Sequence, residues 1–337
     1  MYQSLLIIIL SYLVHATSLD IYSGQSRDRI FINPAQLDYD TQEDKRAVEF
    51  GGSIALAKKT GKFLEELHKA SGDFSDIAKL MEKNIGNTLS FSSEFFMPLR
   101  CREEKFDWLI ALMDSTDGYF ITHSGFGSKG AMESYVQRYQ GFVGTLSTGH
   151  DQVNFGINLK LLQHSLTVHN YSIGEMMEMN GIWEYMDNRY TQQAHGIGVD
   201  LGTHYHFYSD VSFGLSLLNV GDTAFDELIS IPSTLNITYS QLISVEDHPI
   251  YMDVVYVDFL NKDLSNPLKK NLKLDLHSSI WNDRLKLRTG MTFGSWNYGM
   301  SYCFSYVSVS LDSYSERGRN KSLPKERHYQ LSLVLGW

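Results

Sequence analysis

From Asn87 onward, apolar and polar residues alternate over long stretches of the chain. Val153, Phe155, Ile157, Leu159 and Leu161 take turns with Asn154, Gly156, Asn158 and Lys160. Val199, Leu201, Tyr205 and Phe207 alternate with Asp200, Gly202, His204 and His206. Leu272, Leu274 and Leu276 alternate with Lys273, Asp275 and His277, and Leu285, Leu287, Met291 and Phe293 face away from Arg284, Lys286, Arg288 and Gly290. In a strand this period of two sends one set of side chains to each face. Strand length then separates two architectures. A sandwich strand needs ~5–6 residues, whereas a strand crossing a bilayer needs ~9–11, with aromatic girdles at both interfaces. Several runs here are that long, and many close on Tyr, Trp or Phe. The pattern predicts an all-β chain, an antiparallel transmembrane β-barrel over residues 87–337 with roughly 12–14 strands.

Ahead of the alternating region the period changes. Phe63, Leu64, Leu67, Phe74, Ile77, Ala78, Met81 and Ile85 recur at three- and four-residue intervals, which predicts two helices broken at Ser71-Gly72-Asp73. Residues 17–86 therefore read as a plug or lid segment, an irregular stretch followed by a helix pair. Residues 1–16 contain one uncharged apolar run, Leu5 to Val14, too short for the ~20 residues of a membrane helix. It fits the core of a signal peptide ending at Ala16, although no Lys or Arg precedes it; a buried N-terminal strand is the alternative. Two stretches are hard to phase. Residues 250–260 show no clean alternation, and a slip between Phe304 and Val307 predicts a β-bulge. Residues 174–195 read as a long rim loop or short helix.

At the other end, Tyr329, Leu331, Leu333, Leu335 and Trp337 alternate strictly, as a lipid-facing strand with an aromatic interface anchor would. This end also resembles the C-terminal signal read by the outer-membrane barrel insertion machinery. Composition agrees with a folded envelope protein. Twenty Tyr and 26 Gly against 6 Pro oppose disorder, and a formal charge of −10 opposes nucleic-acid binding. Cys101 and Cys303 could pair in an oxidising compartment but are too few for a disulfide framework, and two unpaired cysteines are the simpler reading.

Three segments resemble the FadL-type barrels, with the TraF-like and PorV-like branches nearest in look. They are Ile32-Asn33-Pro34-Ala35, similar to a plugging Asn-Pro-Ala element, the strand–turn–strand GVDLGTHYHFYSDVSFGLSLLNVGDTAF, and LKLRTGMTFGSWNYGMSYCFSYVSVSLDSYS with the terminal strand. The resemblance implies a Gram-negative outer-membrane barrel plugged through Asn33, Pro34 and Ala35. Its partners would be outer-membrane lipid and small hydrophobic compounds that it passes across the membrane. The alternative it implies is a structural or docking barrel of a conjugation or secretion apparatus, engaging an envelope protein and transporting nothing.

No motif points to catalysis, a cofactor or a metal. Gly125-Phe126-Gly127-Ser128-Lys129-Gly130 matches the dinucleotide fingerprint in letters, yet no repeated βαβ pattern surrounds it. His204 and His206 share a strand face with Asp200, but no further ligand is identified to complete a zinc site. The pairs His123-Ser124, His164-Ser165 and His277-Ser278 are adjacent residues, which on a strand point oppositely and form no dyad. Lys160, Asp200, His204, His206, Lys273, Asp275, Arg284, Lys286 and Arg288 therefore read as a lumen lining of mixed sign, paired across strands because an unpaired buried charge costs several kcal/mol. The basic residues at 284–288 could also attract a carboxylate or phosphate.

Overall fold

The computed structural model describes residues 29–39, 46–69, 74–103, 106–124, 130–172, 175, 189–245, 248–260, 272–282, 284–292, 294–317 and 325–336. The expected signal, residues 125–129 of the glycine-rich stretch, the helix break at 71–73, most of 174–195 and Trp337 lie outside these residues.

Fourteen strands close into an antiparallel barrel. In chain order they are β1 (Arg46–Ala57), β2 (Thr88–Arg102), β3 (Asp107–Thr122), β4 (Met132–His150), β5 (Val153–Tyr171), β6 (Thr191–Tyr208) and β7 (Val211–Leu218). After an inserted pair, β8 (Thr223–Phe225) and β9 (Leu228–Ile231), follow β10 (Thr234–Val245), β11 (His248–Tyr256), β12 (Leu272–Ile280), β13 (Leu285–Thr292), β14 (Ser295–Cys303), β15 (Val307–Arg317) and β16 (Lys325–Gly336). Each wall strand pairs with its chain neighbour, except that β7 pairs with β10 past the β8–β9 hairpin and β1 closes the barrel on β16. No helix among the described residues is long and apolar enough to cross a membrane.

The alternation read from sequence becomes the two faces of the wall. Phe155, Ile157, Leu159 and Leu161 are exposed outward, while Asn154, Asn158 and Lys160 are buried inward. On β16, Tyr329, Leu331 and Leu333 face out, with Leu335 half-buried, and His328, Gln330, Ser332 and Val334 are buried. The two ends of the barrel differ. Tight turns such as Asp151-Gln152 and Ser209-Asp210 lie at one end, and the long connections lie at the other, the division of short periplasmic turns and longer outer loops found in bacterial barrels. Height also varies around the wall: β4 and β5 have 19 residues each and β13 only 8.

Several expectations need correction. The barrel starts at β1, not at residue 87: Ala55, Leu56 and Ala57 belong to a wall strand paired with Gln330, Tyr329 and His328. Small and aliphatic residues there, with Gly51-Gly52, hid the strand beside the stronger helical period that follows. The helices α2 (Lys58–Lys69) and α3 (Phe74–Lys83) join β1 to β2 on the long-loop rim. Thr60 Oγ1 donates to the Ser90 carbonyl (2.7 Å), and Lys83 ties the helices through Glu66 at 2.7 Å. The slip between Phe304 and Val307 is a turn, not a bulge; Phe304 N–H donates to the Val307 carbonyl (2.7 Å). A register shift falls instead between His206 and Tyr208. Thr191–His195, assigned to the rim loop from sequence, already belongs to β6. Residues 250–260 lack a phase because β11 is partly exposed on both faces over most of its length. Both cysteines are free.

Candidate functional site in the barrel interior

The segment that carries the Asn-Pro-Ala element lies inside the barrel as α1 (Arg29–Ile32) and a 3-10 helix (Pro34–Tyr39). Asn33 and Ala35 are fully buried. Asn33 Nδ2 donates to the Thr203 carbonyl of β6 (2.8 Å), and Asn33 Oδ1 accepts the Ala35 N–H (3.0 Å). Asn158 Nδ2 donates to the Ile30 carbonyl (2.9 Å). The approach is close enough that a Cβ on Gly156 would fall on the Pro34–Ala35 backbone. Glycine inside a strand commonly marks such a backbone approach.

A second inward segment meets the first. Beyond Leu218 the chain leaves the wall at Asn219, whose φ of 50° turns it inward, and β8–β9 folds against the lumen side of β6. Gly196 and Gly198 make room for Ala224, Phe225 and Thr223. Because β7 pairs only with Leu201–Tyr208 of β6, the upper part of β6 faces the inward-turning chain instead of a wall strand. The wall is interrupted there.

Lys160 and Asp200 hold these parts together. Lys160 Nζ lies 2.7 Å from Asp200 Oδ1 and donates to Asn219 Oδ1 (2.5 Å). Asp200 also accepts the Asn219 N–H (2.8 Å) and Asn158 Nδ2 (3.0 Å). Their side chains are 4% and 1% exposed, so the pair is sheltered from water and salt. One network thus joins wall, inner segment and hairpin.

Around it lies an apolar cluster that period-two reading does not reveal, since it uses positions expected to be polar. Ile30, Leu37, Phe96, Leu109, Met113, Tyr139, Leu162 and Phe225 are buried together. Phe225 sits 5.7 Å from the Tyr139 ring and 5.1 Å from His164. The inward glycines of β6, at 196, 198 and 202, were the sequence signal that another segment packs there.

The remaining expected residues are divided. His204 is buried and its ring meets His206 edge-on at 4.7 Å. Asp200 is not brought to the histidines: four residues along a strand is ~13 Å, and its carboxylate engages Lys160. Across the barrel Asp275 accepts from Arg288 Nε (2.6 Å), with His277 at 3.5 Å and Arg288 3.9 Å from Asp312. Asp253, Asp275 and His277 bring one ligand atom each within 4.8 Å of one another, with Arg288 neutralising part of that charge. Lys273 stands opposite Val255 and Thr292. Lys286 is exposed near the short-turn end. Arg284 does not belong to the wall; it is exposed in the turn before β13, since Trp281 and Asn282 adopt left-handed φ values and end the strand early.

Barrels of this shape are known. The Pseudomonas putida toluene transporter TodX superposes with a TM-score of 0.54 at 12% identity, covering 97% of this chain and 96% of that one. A TodX deltaS2S3 mutant, a monoaromatic hydrocarbon channel, gives 0.57 at 11% identity over 94% of each chain. The Ralstonia pickettii toluene transporter TbuX gives 0.56 at 12% identity over 92% of each. The fold is that of the toluene transporters TodX and TbuX. At this identity the likeness to TodX and TbuX speaks for architecture. No protein-family model and no curated protein matches the sequence.

Proposed function

We propose that the chain is an outer-membrane channel for small hydrophobic compounds, of the kind the names of TodX and TbuX describe, and not an enzyme. The observation that carries this reading is an apolar interior beside an interrupted wall. Asn33, Pro34 and Ala35 act as the plug, and the cluster around Phe96, Tyr139 and Phe225 offers an apolar ligand its first dry surface. The ligand then leaves sideways above β7, where the wall strand is missing, and enters hydrocarbon without crossing the charged row of Asp275, Lys273, Arg288 and Lys286. Residues 1–16 direct export, and the terminal strand through Trp337 serves the insertion machinery.

Reconstitution tests this directly. Liposomes holding the protein should take up toluene faster than empty liposomes, and removal of residues 29–39 should raise the rate further. Equal rates in loaded and empty liposomes would refute transport. The docking alternative of TraF or PorV type draws no support from the solved likenesses, and capture of an envelope protein with unchanged toluene uptake would favour it.

A further inference from the structure

On the outside of the tall wall, the apolar band ends in a row of polar side chains. Reading around the barrel, Asp114, Gln140, Gln163 and His195 stand side by side, and Thr116, Arg138, Ser165 and Gln193 form the next row up. All share the outward face of Leu112, Phe142, Leu161 and Ile197. The rows are knitted together: Arg138 Nε donates to Asp114 Oδ1 (2.8 Å) and its Nη2 to Asp114 Oδ2 (2.5 Å). Gln140 Nε2 donates to Gln163 Oε1 (2.8 Å), and Gln163 Nε2 to Gln193 Oε1 (3.0 Å). Beside them Ser93, the cross-strand neighbour of Thr116, has a hydroxyl that is buried with no hydrogen-bond partner among the described residues.

Height gives the ladder its meaning. Eight residues separate Phe155 from Gln163, about 27 Å along a strand and about 20 Å of height at a ~40° tilt. The apolar band of such barrels is ~25 Å tall, so the ladder meets the level where acyl chains give way to head groups. Below it on the same strands, the missing side chain of Gly144 leaves an apolar groove of about 320 Å³ between Trp108, Ile110, Leu146, Ile157 and Leu159. Above it Phe91 and Phe120 stack at 5.6 Å. A groove for a chain, planar amides and a bidentate pair at head-group height, and aromatic rings above suit one kind of molecule.

We propose that the outward face of β3–β6 binds a membrane lipid with a sugar head group, its acyl chain in the Gly144 groove and its hydroxyls on the glutamine–arginine ladder. Planar amide, carboxylate and guanidinium groups bond pairs of vicinal hydroxyls, and the rings cover sugar C–H faces. Because Asp114 neutralises Arg138, the site selects hydroxyls over phosphate. The proposal does not depend on transport.

Nanodiscs of phosphatidylethanolamine with added lipopolysaccharide provide the test, read as lipid retained per barrel after detergent extraction. Wild type should retain the glycolipid at least tenfold over the Gln140→Leu/Gln163→Leu variant, with phosphatidylethanolamine retention unchanged and heat-modifiable mobility intact. The same contrast should persist in high salt. Equal glycolipid retention by both proteins would overturn the proposal. So would loss of retention in salt, which would mean phosphate capture, or a change in oligomeric state in the variant, which would make the ladder a contact between copies. A Gly144→Leu variant gives an independent reading, because filling the groove should lower retention without touching the ladder.

Discussion

Removing the Asp200 carboxylate asks the most of this structure. In Asp200→Ala, the Lys160 amine is left in a site where its side chain is 4% exposed, with only Asn219 Oδ1 of its two partners. The Asn219 N–H and Asn158 Nδ2 lose an acceptor at the same time. Breaking a buried pair from one side costs about 3–5 kcal/mol, because the surviving charge stays desolvated. That is roughly two to three and a half orders of magnitude in the folding equilibrium. Replacing both members, as Lys160→Met/Asp200→Asn, removes the stranded charge and leaves an acceptor for Asn219, so the double variant should regain about 2 kcal/mol or more. Urea unfolding of the detergent-refolded barrel, followed by tryptophan fluorescence, measures both. A loss under about 1 kcal/mol in Asp200→Ala, or a double variant no better than the single, would refute the reasoning.

Three further outcomes follow from the geometry. Gly156→Val should expel the inner segment by collision with the Pro34–Ala35 backbone, raising liposome permeability while heat-modifiable mobility persists; unchanged permeability would contradict it. On the long-loop rim, the Ser172 backbone N–H and hydroxyl hold the Glu175 carboxyl at a pKa of about 2, helped by Tyr190 and His169 against the opposing pull of desolvation. A depressed acid stabilises fully above its unfolded value of ~4.3, and that stabilisation is lost as pH falls through the folded value. The contacts of Glu175 with Ser172, Tyr190 and His169 should therefore hold from neutral pH to about 5 and weaken between about 4 and 2. The chemical shift of the Ser172 amide proton, which Glu175 accepts, should titrate across that interval in NMR spectra, and Glu175→Gln should abolish the dependence. Phe225→Ala should cost about 3–5 kcal/mol by urea unfolding, because a fully buried ring leaves a cavity between Tyr139 and His164; a loss below 1 kcal/mol would mean the hairpin does not stay inside.

The wall was legible because lipid and lumen impose opposite chemistry on alternate residues, which a single strand such as Val153–Tyr171 records on its own. The Asn-Pro-Ala segment could be singled out only through resemblance. The first strand escaped because Arg46–Ala57 carries two adjacent glycines and three alanines, so its period is faint and its identity rests on a partner nearly 280 positions away. The hairpin escaped for a related reason. Nothing within 219–233 says that the chain turns inward; the instruction lies in the glycines of β6 and the acid at 200. The charged positions were easy to nominate and hard to group, since Asp200 and Asp275 each serve a different side of the barrel. Period counts where a side chain points, not which of fourteen strands it meets.

The seam between β1 and β16 has a consequence for biogenesis. Glu49–Ala57 and His328–Gly336 complete one another's ladders, so neither edge is satisfied until β16 has been made. Hydrocarbon tolerates no open sheet margin, and pairings this remote in sequence form slowly. A ribosome that stalls before β16 would release a sheet with both borders bare, sticky towards its siblings and barred from the bilayer. Whatever escorts the nascent chain must keep those two borders apart from strangers and bring them together last.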